Sequence, residues 1–113
     1  MNVTTEHAGP LSILRVAETR LMYPLLADFS STVTGLVAAG HREILVDLSP
    51  VTYVDSAAIG CLMDLYRQVN NAGGHLKLSG VQKRVETMLT MTGAQNFIEI
   101  HPDEPSAIKS FGV

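Results

Sequence analysis

Residues 46–60 read VDLSPVTYVDSAAIG, and they contain the strand, turn and helix start on which the fold depends. The surrounding run "REILVDLS", residues 42–49, is nearly continuously apolar at its centre, the pattern of a strand covered on both faces. A second apolar stretch then ends at Asp55-Ser56. From there "SAAIGCLMDLYRQVNNAGG" predicts a helix, with Ile59, Leu62, Met63, Tyr66 and Val69 on one side and Gly73-Gly74 closing it. Either Asp55 or Ser56 suits the N-cap of a helix starting near Ala57, where a side-chain oxygen meets orphan amides. A serine there also lies at the positive end of the helix dipole. A phosphate on it would leave the fold intact while adding about −1.5 to −2 of surface charge. Local chemistry leaves both readings open.

Working outward, "LSILRVAE" (11–18) carries a mostly alternating apolar pattern and predicts a strand. "PLLADFSSTVTGLVAAG" (24–40) places Leu25, Leu26, Phe29, Val33, Leu36 and Val37 at helical spacing, with Pro24 in the first turn and Gly40 at the end. Downstream, "HLKLSG" (75–80) predicts a short strand, "VQKRVETMLTMTG" (81–93) an amphipathic helix, "FIEI" (97–100) a brief strand and "EPSAIKSF" (104–111) a last helix. Strands alternating with helices define an α/β fold with a largely parallel sheet and right-handed crossovers. The first strand is expected to add an antiparallel edge.

The 113 residues suit one domain, expected to span 1–113 with no internal linker or repeat. With 46% apolar and 17% charged residues the chain is a globule able to bury a core without disulfides or metal. Its net charge is −3, its few basic residues are scattered, and it lacks Trp. These features exclude a phosphate-backbone footprint, base-stacking platforms and a membrane-binding basic helix. No signal region or spanning segment is evident, so the reading is of a soluble, cytoplasmic chain without membrane insertion. Cys61 is the only cysteine and sits in an apolar helical run, as a small core residue does.

Catalysis finds little support. His7, His41, His75 and His101 are dispersed and expected in solvated loops, and no metal site is expected. No GxGxxG, GxxxxGK[ST] or GxSxG occurs, and Gly73-Gly74 follows a helix instead of preceding one. Asp47 and Asp55 lack polar neighbours in sequence to complete an acid–base pair. No catalytic residue, no cofactor and no enzyme activity are expected.

The ordered series "ILVDLSPVTYVDSAAIGCLMDLYR", continued by "NNAGGHLKLSGVQKRVETMLTMTGAQNFIEI", resembles the STAS domain family, the anti-sigma factor antagonists and their relatives. The resemblance covers residues 44 to about 111 and implies a mixed four- to five-stranded sheet with about four helices packed mainly on one face. It implies that Ser56 is phosphorylated by an anti-sigma serine kinase, that the unmodified chain binds this kinase and frees a sigma factor, and that a phosphatase of the PP2C type resets it. Asp55 would shape the serine's turn and contact the kinase. Ala57, Ala58 and Ile59 would form the docking surface, and Gly60 would allow close approach. Where the family has an acidic residue in the turn before its first helix, this chain has Met22, within "ETRLMYPLL". Met22 and Tyr23 suit an apolar docking patch, and a core role for one of them fits equally well. The alternative is a non-switching scaffold in a stress-signalling assembly, or a lipid- or anion-transporter-associated subunit.

Overall fold

The computed structural model describes residues 1–112; Val113, the last residue of the expected domain, lies outside the described residues. Among the described residues seven strands and four α-helices follow one another: β1 (Val3–Ala8), β2 (Leu11–Val16), β3 (Arg20–Leu21), α1 (Leu26–Ala38), β4 (Glu43–Asp47), β5 (Tyr53–Val54), α2 (Ser56–Asn71), β6 (His75–Ser79), α3 (Lys83–Thr92), β7 (Ile100–His101) and α4 (Glu104–Ser110). The main sheet runs β1-β2-β4-β6-β7, and a separate two-stranded sheet joins β3 to β5. The pair β1–β2 is antiparallel, and β2, β4, β6 and β7 are mutually parallel.

The antiparallel edge is therefore real, but β1 supplies it and not the first strand expected from sequence. Val3 alone of its six residues is half-buried, so "VTTEHA" shows no apolar alternation to read. β7 is also shorter than "FIEI" suggests: it begins at Ile100, and Phe97 is exposed after a single 3₁₀ turn.

Alternation sorts the strand residues between two unequal layers. Leu14, Val16, Ile44, Val46, Leu76 and Leu78 join the main core, where Phe29 and Val33 of α1, Leu62 and Val69 of α2, and Val85 and Leu89 of α3 cover them. Leu11, Ile13 and Leu45 face the opposite side, under Ala107, Ile108 and Phe111 of α4 and its following residue. Three helices thus pack on one face and one short helix on the other. On α2 the fully inward positions are Ala58, Ile59, Leu62, Leu65 and Val69. Met63 and Tyr66, expected on that side, are only half-buried at its margins.

The α4 face is polar around its small apolar centre. Arg15 binds both carboxylate oxygens of Glu104 at 2.8 and 2.9 Å and reaches Glu6 at 2.7 Å. Lys77, nearly buried, donates to the Ser110 carbonyl and hydroxyl and lies 4.6 Å from the Phe111 ring centre. Asp47 ends β4 beneath α4, accepts hydrogen bonds from the Ser49 amide and hydroxyl, and lies against Glu104. Gly80, at φ +68°, closes this corner, because a Cβ there would collide with Ser49 and Asp47.

Burial, and then the neighbouring Glu104, push the Asp47 carboxyl up despite the Ser49 bonds. The Arg15 guanidinium holds Glu104 down against its own burial. The two groups act oppositely on stability. Glu104 stabilises the fold above its unfolded value, and that contribution is lost as pH falls through its lowered folded value. Asp47 costs stability at neutral pH, and the cost vanishes as pH falls below its raised folded value. Asp47→Asn is therefore expected to melt above the unsubstituted chain at pH 7, with the gap closing toward about pH 4. Thermal scans across that range measure it, and a gap independent of pH would contradict the assignment.

Candidate functional site

The short β3–β5 pair builds the corner that carries Asp55-Ser56. After β4 the chain turns through Leu48–Val51, closed by the Val51 amide on the Leu48 carbonyl at 2.9 Å. Thr52 then donates both its amide and its hydroxyl to the Thr19 carbonyl, at 2.8 and 3.0 Å. This fixes Arg20 opposite Tyr53 and Leu21 opposite Val54. The next residues of each segment, Met22-Tyr23 and Asp55-Ser56, are delivered side by side.

Asp55 locks that arrangement with its two carboxylate oxygens. One accepts the Ala58 amide at 2.7 Å and caps α2; the other accepts the Tyr23 amide at 3.0 Å, across 32 residues of sequence. Of the two candidate caps, Asp55 takes the role, and Ser56 is the exposed first residue of the helix with no acidic residue in that turn. The serine hydroxyl therefore sits at the positive helix end without holding the helix together.

Two open grooves flank this point. One, of about 510 Å³, lies between α1 and α2 and is lined by Tyr23, Leu26, Ala27, Ala57, Gly60 and Cys61. The other, of about 450 Å³, lies between α2 and α3 and includes Ser56, Ile59, Gly60, Met63, Thr92 and Phe97. Gly60 borders both, and a Cβ there would meet nothing, so the fold's own packing does not demand glycine. Tyr23 is 74% exposed at the first groove, while Met22 is half-buried.

Not every residue expected at the docking surface reaches it. Ala57 and Gly60 are exposed, but Ala58 is completely buried and Ile59 shows only 7% of its surface. The helix turns positions 58, 59 and 62 inward together, so the Ala58 side chain belongs to the core and not to a contact surface. Cys61 is half-buried in the first groove, and burial, aided by the Asp64 charge, pushes its thiol up, which disfavours the reactive thiolate.

The histidines lie in structured positions more than expected. His7 in β1 stacks on His41 with ring centres 4.7 Å apart, His75 in β6 meets Glu43, and His101 in β7 meets Glu99. Among the described residues no three His, Cys, Asp or Glu side chains converge to hold a metal. Among them, too, no helix is long and apolar enough to cross a membrane. The tie from Asp55 to Tyr23 was not readable from sequence, because its only signal is a register between two-residue strands.

Fold and corner together define a small α/β domain presenting a capped helix start between two grooves. The family model for the STAS domain matches residues 2–107, and the chain belongs to that family. A Thermotoga neapolitana candidate anti-sigma factor antagonist is 29% identical over 70 residues, which span 62% of this chain and 62% of that one. A probable sulfate transporter of Arabidopsis thaliana is 36% identical over 55 residues, 49% of this chain but 8% of the transporter. The matched segments thus fall short of two thirds of either relative's length. Among solved structures, an anti-sigma-factor antagonist (STAS) domain protein from Planctomyces limnophilus superposes with a TM-score of 0.87 over 98% of both chains at 16% identity. The mixed five-stranded sheet with four helices is the fold of that structure.

Proposed function

We propose that this chain is a cytoplasmic, non-catalytic binding module of the anti-sigma factor antagonist kind, switched by phosphorylation of Ser56. In this reading the unmodified chain holds an anti-sigma serine kinase, modification of Ser56 ends the complex, and a PP2C-type phosphatase restores it. The observation that carries the reading is the division of labour between neighbours: Asp55 caps α2 and Ser56 is left exposed beside it. A phosphate on Ser56 would gain from the helix dipole and leave the cap in place. A partner seated across the two grooves would have to bury that charge, and a buried charge left without a partner costs roughly 3–5 kcal/mol.

The contact residues in this reading are Asp55, Ala57, Gly60 and Met22 with its neighbour Tyr23, together with the edge of Ile59. The test is phosphopeptide mass spectrometry on the chain isolated from growing and from stressed cells, paired with binding of the kinase to the phosphorylated and unphosphorylated forms. Occupancy of Ser56 that changes with condition and abolishes binding is the expected result. A Ser56 that stays unmodified under every condition would sink the reading.

A second reading, a standing subunit of a transporter or scaffold, draws on the match to the sulfate transporter and on Met22 where the family's turn carries an acid. Co-purification with transporter or scaffold subunits, with no phosphate on Ser56, would favour it.

A further inference from the structure

Three residues that no single segment of sequence brings together meet beside the Ser56 corner. The Tyr53 ring of β5 is approached by the Arg20 guanidinium of β3 at 5.7 Å and by the Arg84 guanidinium of α3 at 5.9 Å from its centre. We infer that Arg20, Tyr53 and Arg84 form a docking patch for an acidic segment of a protein partner. Its assignment to the partner held at Ser56 rests on the function proposed above.

Charge accounting singles this place out. The chain has 8 basic and 11 acidic residues, so carboxylates are in surplus. Arg15 has two as partners, Arg67 and Lys77 one each, and Arg42 is spent on the Val37 and His41 carbonyls. Among the described residues Arg20, Arg84, the adjacent Lys83 and Lys109 form no ion pair, and all four are exposed; the first three gather here, whereas Lys109 stands alone on α4. The nearest acids in sequence are committed or displaced. Glu18 accepts the Asn2 amide at 2.7 Å, Asp55 is taken up by two amides, and Glu86 is beyond Arg84 on α3.

The chemistry of the group favours a carboxylate occupant. A guanidinium approaching an aromatic ring retains N–H donors with which to grip a carboxylate in two-pronged fashion. Two such forks converging on one ring give a partner segment two anchoring points. Tyr53, half-buried, limits the freedom of both arginines and so lowers the entropy lost on binding.

Position supplies the second argument. Arg20 and Tyr53 are register partners in the strand pair whose next residues are Met22-Tyr23 and Asp55-Ser56. Tyr53 and Ser56 are three positions apart, a span of at most about 11 Å. A partner covering the Ser56 corner would extend onto this patch.

The test uses the full, unphosphorylated chain and a synthetic hexapeptide of alternating glutamate and aspartate. Resonances of the Arg20 and Arg84 Nε–H groups and the Tyr53 ring are followed by NMR during titration. Saturable shifts confined to these groups are expected, with affinity falling up to about fivefold for Arg20→Ala or Arg84→Ala. Arg84→Lys should recover only part of the loss, since it keeps the charge without the fork. Absence of saturation at millimolar peptide, or equal binding by the Arg20→Ala/Arg84→Ala double variant, would overturn the proposal. So would tighter binding of a six-nucleotide single strand than of the peptide, which would make the patch a nucleic-acid contact. None of these readings involves the kinase, so the patch and the Ser56 switch can fail independently.

Discussion

A Ser56→Asp chain is expected to melt within about 2 °C of the unsubstituted one while binding the anti-sigma partner proposed for it about two to three and a half decades less tightly. The thermal half of this expectation follows from the cap. Asp55 already accepts the Ala58 amide, so position 56 is an exposed first-turn position where an acid is favoured by the helix dipole. The binding half follows from burial. An unpaired carboxylate covered by a partner costs roughly 3–5 kcal/mol, and Asp carries less charge than a phosphate, so a true phosphoserine should be at least as disruptive. Calorimetric titration of the kinase with both forms, beside thermal scans, separates the two effects. Equal affinity for the two chains would remove Ser56 from the interface. A collapse in melting temperature would instead mean that the serine is structural.

Asp55→Ala should behave in the opposite way. Losing the cap costs about 0.5–2 kcal/mol, and losing the Tyr23 tie about 1 kcal/mol more. Together these lower stability by about 1.5–3 kcal/mol, a fall of roughly 6–12 °C in melting temperature for a domain of this size. Asp55→Asn retains an oxygen for one amide but offers a donor where the second oxygen accepted, so about half the loss is expected. Amide hydrogen exchange distinguishes the two bonds, because the Tyr23 amide should lose protection in Asp55→Ala even below the melting range. A Tyr23 amide whose exchange is unchanged would show that the α1 entry is held by other contacts. If both predictions hold, one neighbour of the pair carries stability and the other carries recognition.

The sequence was most legible where burial imposes a period. β4 is covered on both faces and reads as an apolar run, and α2 shows its helical stripe. β1 was invisible for the converse reason: five of its six residues are exposed, so no alternation marks it. On β6, Lys77 and Ser79 lie beneath α4 although a polar residue in an alternating strand reads as solvent-facing. At the site, Ser56 and Asp55 could be named because a helix start has a local signature. Which of them caps the helix could not, since both residue types suit the role. The Asp55–Tyr23 bond and the meeting of Arg20, Tyr53 and Arg84 depend on the β3–β5 register. Strands of two residues leave almost no trace in a sequence. Ala58 was misplaced by a similar limit: alanine is at home in a core or on a surface, and only the helix phase decides.

The separation of cap from serine also bears on how such a module can evolve. Because Asp55 starts α2 whatever stands next to it, position 56 can drift among small and acidic residues without endangering the fold. If Ser56 is the switch proposed above, one substitution would render a responsive protein permanently receptive or permanently silent, and another would reverse the change. Regulation at this corner would then be a trait a lineage can gain or shed in a single step, while the scaffold beneath it stays under ordinary selection for stability.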